Sequence, residues 1–183
     1  MSRPPTTRTL ALAIGVCLLM PVCVRAERLP IKTYSFAEGL SHNRVKRIIQ
    51  DSHGFLWFCT FEGLSRFDGS RFTNYGAEQG LPFPSLNDMM EMPDGTYWIA
   101  TNGGGMIRFR PNTDVRPATD ETVKSRFTTY TVGPEGVTNA VNVVFRTRTG
   151  ATWLGTDGGL FQMEETGGAP AFRRLTLDLP GHP

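Results

Sequence analysis

The chain of 183 residues is 39% hydrophobic and 20% charged, with a formal net charge of +2, a composition that suits a folded domain and excludes a disordered tail. Arg3, Arg8 and Arg25 lie in the first 26 residues, which carry no acid, and the remainder holds 16 basic against 17 acidic side chains. So even a balance argues against a partner bound by phosphate neutralisation, so no nucleic acid is expected. Glycine (20) and proline (13) make up about 18% of the chain, above a usual level of about 12%, which points to many tight turns and short strands.

From the N-terminus, Arg3 and Arg8 precede an unbroken apolar run, Leu10 to Met20, that Pro21 ends. Val24-Arg25-Ala26 then places a branched and a small residue at −3 and −1 of a cleavage site. Residues 1–26 therefore read as a secretory signal peptide. The run is shorter than the roughly 20 residues that a membrane span requires. Neither Cys17 nor Cys23 follows the small residue that lipidation needs, and both leave with the signal. Cys59 is then the one cysteine, with no internal disulfide framework. Its neighbours Phe58 and Thr60 place it in an apolar run, as a buried structural thiol. Residues 27–38 hold Ile31–Tyr34, expected as an N-terminal outer strand.

A repeat organises the rest. Trp57, Trp98 and Trp153 each have a glycine three residues before (Gly54, Gly95, Gly150) and a threonine three after (Thr60, Thr101, Thr156). Six after each tryptophan stands another glycine: Gly63, Gly104 and Gly159. Aliphatic residues stand twelve before (Val45, Leu86, Val141) and nine before (Ile48, Met89, Val144). A glycine–aliphatic pair opens each unit: Gly39-Leu40, Gly80-Leu81 and Gly136-Val137. The tryptophans are 41 and 55 residues apart, the surplus falling in the polar stretch Pro111 to Ser125. A period of about 40–45 residues with four short strands is the signature of a β-propeller blade.

The expected fold is therefore all-β, a β-propeller of about three four-stranded blades. Blade 1 covers 39–79, blade 2 covers 80–135 with a loop insertion at 111–125, and blade 3 covers 136–183. Strands in blade 1 are expected at Val45–Gln50, Phe55–Thr60, Leu64–Asp68 and Phe72–Tyr75. Asp51-Ser-His-Gly54 and Pro93-Asp-Gly95 supply turns whose glycine takes a positive φ. Propellers close with about four to eight blades. Three make an incomplete ring, so missing blades or another copy of the chain are expected partners. Ile31–Tyr34 then reads as the ring-closing strand.

Little catalytic chemistry is legible. The recurring Trp, Gly and Thr positions read as packing and turn devices. His42, His53 and His182 stand at no zinc spacing, so no metal is expected. Gly103-Gly104-Gly105 lacks the lysine of a phosphate loop, and no Gly-x-Ser-x-Gly elbow occurs. No cofactor and no catalytic residue are expected. Glu164 and Glu165 point to opposite faces of a strand end and read as a solvated turn. Arg44, Lys46 and Arg47 read as the polar side of an inner strand. A ligand would meet the rim loops: His42, Asn43, Arg44, Phe61, Glu62, Pro84-Ser85, Asn102, Asn139 and Asp157. They suit a polar small molecule such as an oligosaccharide, though Asn43 and Asn139 better suit the holding of turns through side-chain to backbone hydrogen bonds.

Gly39-Leu-Ser-His-Asn-Arg-Val45, Ile48-Ile-Gln-Asp-Ser-His-Gly-Phe-Leu-Trp57 and Thr60-Phe-Glu-Gly-Leu-Ser-Arg-Phe-Asp-Gly69 together resemble the two-component regulator propeller repeat. Blade 2 departs from it at Pro84, where the family has asparagine, and at Met92. Blade 3 keeps Asn139 and Trp153-Leu-Gly-Thr-Asp-Gly-Gly-Leu160 but lacks the Arg-Phe-Asp ending. The resemblance implies the periplasmic sensor region of a membrane-bound signalling protein. Such proteins signal through a β-sandwich and one transmembrane helix to a histidine kinase or diguanylate cyclase. This chain would be the N-terminal part of one, or a truncated product, with no catalysis of its own and membrane contact only through a C-terminal part. The alternatives are one end of a secreted propeller enzyme of lyase or quinoprotein type, or an interaction scaffold using Phe61 and Phe83.

Overall fold

A computed structural model describes residues 29–111, 126–165 and 168–176. The signal segment 1–26, insertion residues 112–125 and His182 lie outside the described residues. The chain divides into two compact units at Thr33/Tyr34. In the first unit, the described residues 29–33 are irregular. The strand expected at Ile31–Tyr34 is thus not formed among the described residues. An extended segment becomes a strand only where a neighbouring edge takes up its N–H and C=O groups. The second unit begins with irregular Tyr34 and Ser35 and a 3₁₀ turn at Phe36–Glu38.

Twelve strands follow. Blade 1 holds β1 (Val45–Gln50), β2 (Leu56–Thr60), β3 (Gly63–Phe67) and β4 (Phe72–Tyr75). Blade 2 holds β5 (Leu86–Glu91), β6 (Tyr97–Thr101), β7 (Met106–Phe109) and β8 (Phe127–Tyr130), with β9 (Val141–Arg146), β10 (Thr152–Thr156), β11 (Gly159–Glu164) and β12 (Ala171–Arg174) in blade 3. Each group is one antiparallel sheet in which consecutive strands pair. Strand β5 packs against both β1 and β9, so the first strands of the sheets are neighbours and the sheets radiate from them. The all-β propeller architecture read from the sequence is what the chain adopts.

Both described inter-blade spaces are filled by aromatic and aliphatic side chains from two sheets. Between blades 1 and 2, Trp57, Leu64 and Tyr75 meet Met89, Tyr97, Ile99 and Phe109. Between blades 2 and 3, Trp98, Ala100 and Met106 meet Val144, Leu154, Phe161 and Met163. Strand β6 is buried throughout because both faces of its sheet are covered, and its continuous apolar sequence Tyr97-Trp-Ile-Ala follows from that. Trp57 and Trp98 are 1% and 0% exposed. Trp153 is only half-buried, and its cross-strand neighbour Phe145 is 60% exposed.

The repeated polar positions are local ties. Thr60, Thr101 and Thr156 each donate from Oγ1 to a glycine carbonyl 2.8 Å away, Gly63, Gly105 and Gly159 respectively. Blade 2 carries one extra turn residue, so the counterpart of Gly63 is Gly105 and not Gly104. Gly105 has φ +76, and a Cβ there would lie 2.3 Å from the Tyr130 carbonyl oxygen. Gly54, Gly95 and Gly150 close the β1–β2, β5–β6 and β9–β10 turns with φ of +88, +78 and +94.

Asp51 joins two blades. Its Oδ2 accepts from Trp57 Nε1 at 2.7 Å and from the Tyr97 hydroxyl at 2.9 Å. Its Oδ1 accepts from the backbone N–H of His53 and Phe55. Burial pushes this carboxyl up, but the four donors outweigh it and hold the pKa below the ordinary value. Burial, and then the hydrogen bond to Asp51 and its charge, push the Tyr97 phenol up. In blade 2 the corresponding residue is Met92, which has no carboxylate to offer, and Trp98 Nε1 donates instead to Glu165 Oε1 at 2.9 Å. Glu165 therefore fastens blade 3 to blade 2, where a solvated turn was expected. Glu164 points away toward Arg173, at 3.4 Å.

Candidate functional site

Every blade breaks its first strand pair at the same place. In β1 the ladder skips Lys46, with Val45 opposite Thr60 and Arg47 opposite Cys59. In β5 it skips Asn87, between Leu86 opposite Thr101 and Asp88 opposite Ala100. In β9 it skips Asn142, between Val141 opposite Thr156 and Val143 opposite Gly155. A β-bulge releases one residue from the alternation of faces and re-aims its side chain. Here the three released residues turn toward one another at the end of the blades where the β2–β3 and β10–β11 turns lie.

They form a continuous polar track. Lys46 Nζ donates to Asn87 Oδ1 at 2.5 Å and reaches Ser85 Oγ at 3.4 Å. Asn87 Nδ2 donates to the Val141 carbonyl at 2.8 Å and lies 3.5 Å from Asn142 Oδ1. Asn142 Nδ2 donates to Asp157 Oδ1 at 2.6 Å. One residue beyond the first two bulges, Arg47 Nε lies 3.0 Å from Asp88 Oδ1, and Asp88 Oδ2 accepts from the Val144 N–H at 3.1 Å. Burial raises the Asp88 pKa against those stabilising contacts. The three innermost strands are thus joined by side chains at two successive levels.

At the blade 1 end stands Phe61, in the turn between β2 and β3 and 39% exposed. Arg44 Cζ and Lys46 Nζ each lie 5.5 Å from its ring centroid, within cation–π range. The His42 ring is 5.9 Å away, and its Nδ1 accepts the Arg44 backbone N–H at 2.9 Å. Burial, and then the like charge of Arg44, push the Lys46 ammonium down.

The structure thus brings His42, Arg44 and Phe61 together and sets Asp157 at the far end of the same track. Asn43 and Asn139 serve turns: Asn43 Oδ1 accepts the Phe36 N–H at 2.6 Å, and Asn139 Oδ1 accepts the Val132 N–H at 2.8 Å. Asn102 bridges to Ala140 through its backbone, and its N–H donates to the Ser85 carbonyl. Glu62 is exposed, its N–H bonded to Thr60 Oγ1. Pro84 is exposed as well. Sequence reasoning placed Lys46 on an inner strand but missed it, Asn87 and Asn142 as site residues. A signal exists: each stands eleven residues before its tryptophan and is polar in all three units. Cys59 is fully buried, which pushes its thiol pKa up and makes it inert. His53 and Glu91 approach to 4.0 Å at the opposite end of the strands.

Residues 39–62 match the family model of the two component regulator propeller, the stretch on which the resemblance was read. Among solved structures, the chain is similar to an extracellular domain assigned to the hybrid two component system BT3049 from B. thetaiotaomicron. That likeness has 27% identity and a TM-score of 0.57, over 78% of this chain and 20% of the other. A likeness of fold extends to the extracellular domain assigned to the hybrid two component system BT4673 from B. thetaiotaomicron, with 18% identity, TM-score 0.59 and coverage of 85% and 19%. It extends also to virginiamycin B lyase from Staphylococcus aureus, with 15% identity, TM-score 0.50 and coverage of 70% and 40%. The chain spans about one fifth of the length of the two B. thetaiotaomicron domains. No curated protein matches it. Among the described residues, no helix is long and apolar enough to cross a membrane.

Proposed function

From the two component regulator propeller repeat as premise, we propose that this chain is a ligand-sensing part of the periplasmic region of a transmembrane signalling protein. Its output, a histidine kinase or a diguanylate cyclase, resides outside these blades. The observation that carries the reading is the bulge repeated in all three first strands. It gathers one polar side chain per blade onto a shared rim, where a polar small molecule or oligosaccharide can be held by several blades at once. A ligand so held alters the fit between blades, which is the displacement a signalling protein has to pass on. The blades bind without converting the ligand: among the described residues the track offers amides, a hydroxyl, cations and the Asp157 carboxylate, a set suited to holding a polar molecule.

The uncovered face of blade 3 is assigned to a further blade or to another copy of the chain, since the counterparts of its Trp153, Trp57 and Trp98, are buried against a neighbouring blade. The reading is tested by thermal denaturation of the full chain against a panel of oligosaccharides and organic acids. Saturation by one compound should raise the midpoint, a ligand at a hundred times its Kd adding about 2.7 kcal/mol, with the compound recovered intact by mass spectrometry. A panel without any such rise would overturn ligand sensing, and a cleaved compound would favour the lyase alternative.

A further inference from the structure

Among the described residues, no carboxylate pairs with the positive charge at the blade 1 end of the track. Lys46 is bonded to a neutral amide and a hydroxyl, and the charge that bears on it is that of Arg44, of the same sign. Among the described residues, no carboxylate forms an ion pair with Arg44 or Lys46, whereas Arg47, Arg71 and Arg173 each have one. Two adjacent cations held this way are unfavourable in the free protein, and a bound anion relieves them. Phe61 holds both cations in place while leaving part of its ring in solvent. Farther along, the amide oxygens of Asn87 and Asn142, one further N–H of Asn142 and the Asp157 carboxylate offer partners that suit hydroxyl groups. The track is therefore polarised, cationic at blade 1 and hydrogen-bonding at blades 2 and 3.

We propose that the rim binds a small organic anion bearing hydroxyl groups, a sugar acid or hydroxy acid, with its carboxylate between Arg44 and Lys46 beside Phe61 and its hydroxyls on Asn87 and Asn142. This deepens the ligand-sensing reading and rests on it. Arg44 is the informative position, because its side chain is exposed and no fold-maintaining bond depends on it.

The test is a titration of the full chain, isotopically labelled, with D-glucuronate, D-glucose and inorganic sulfate, followed by amide NMR. Glucuronate should saturate and shift the resonances of residues 42–46 and 61. Arg44→Gln should weaken it about fivefold, the worth of a partly exposed ion pair, while Arg44→Lys retains it. Asn142→Ala should weaken glucuronate but leave sulfate unchanged. If glucose binds as tightly and shifts the same resonances, the anion assignment is overturned while ligand sensing stands. Sulfate competing as well as glucuronate would reduce the site to a charge patch and also overturn it. So would the absence of shifts with all three, with the wider panel then deciding ligand sensing independently.

Discussion

Asp51 shows how much one carboxylate can hold. Four donors converge on it from two blades, and removing it leaves the Trp57 indole and the Tyr97 hydroxyl buried without an acceptor. Asp51→Ala should cost roughly 2–4 kcal/mol in urea denaturation, since each buried donor loses its partner. Because the folded pKa of Asp51 is lowered from 3.8, its contribution is fully present above that value and is lost as pH falls through the lower folded one. Asp88 has the opposite sign: its pKa is raised from 3.8, so its contribution is present below that value and is lost as pH rises through the folded one. Asp51→Asn should therefore flatten the loss of stability on the acid side, measured as urea midpoint against pH. If the acid limb is unchanged, the Asp51 charge is not what the indole and phenol require.

At the scale of elements, the turns separate into those that tolerate a side chain and those that do not. Gly95 and Gly105 have nearly the same φ, +78 and +76, but a Cβ on Gly95 meets nothing within 4 Å while one on Gly105 runs into the Tyr130 backbone. Gly95→Ala should cost about 1–2 kcal/mol, the price of a left-handed alanine. Gly105→Ala should cost more than about 3 kcal/mol, because the outer strand must shift too. Equal midpoints for the two variants would show that the clash is absorbed. Much of this level was legible beforehand. The strands of blade 1 fall within a residue of expectation because glycine turns punctuate a pattern of aromatic and aliphatic residues. The bulges were not legible, because an inserted residue changes neither composition nor apolar periodicity enough to stand out, and Lys46, Asn87 and Asn142 share polarity rather than identity. Glu165 was misread because its partner, Trp98, is 67 residues away in sequence and adjacency in sequence says nothing of such a contact. The Asn43 and Asn139 turns were anticipated as one of two readings, and only the Phe36 and Val132 contacts decide what their side chains hold.

For the molecule as a whole, the three blades are equivalent in plan and unequal in environment. Val143 and Phe145 are 47% and 60% exposed, and they share a sheet face with the half-buried Trp153. Two consequences are measurable. Acrylamide should quench Trp153 while leaving Trp57 and Trp98 dark to it, so Trp153→Phe should abolish most of the quenchable emission. The full chain should also associate with rising concentration in sedimentation, and Phe145→Glu should keep it monomeric, because a charge cannot be buried unpaired in a blade contact. A chain that stays monomeric at high concentration without the substitution would remove the second-copy assignment.

The bulges carry one further implication. A bulged residue belongs neither to the backbone ladder nor to either packed face, so its identity bears on the side-chain ties between first strands rather than on the pairing within its own blade. Lys46, Asn87 and Asn142 behave like digits of a short code, one per blade, read chiefly against one another. Exchanging them reprograms the rim while the tryptophans, threonines and glycines stay in place. A repertoire of rims can arise from this one scaffold by changing a single residue in each repeat.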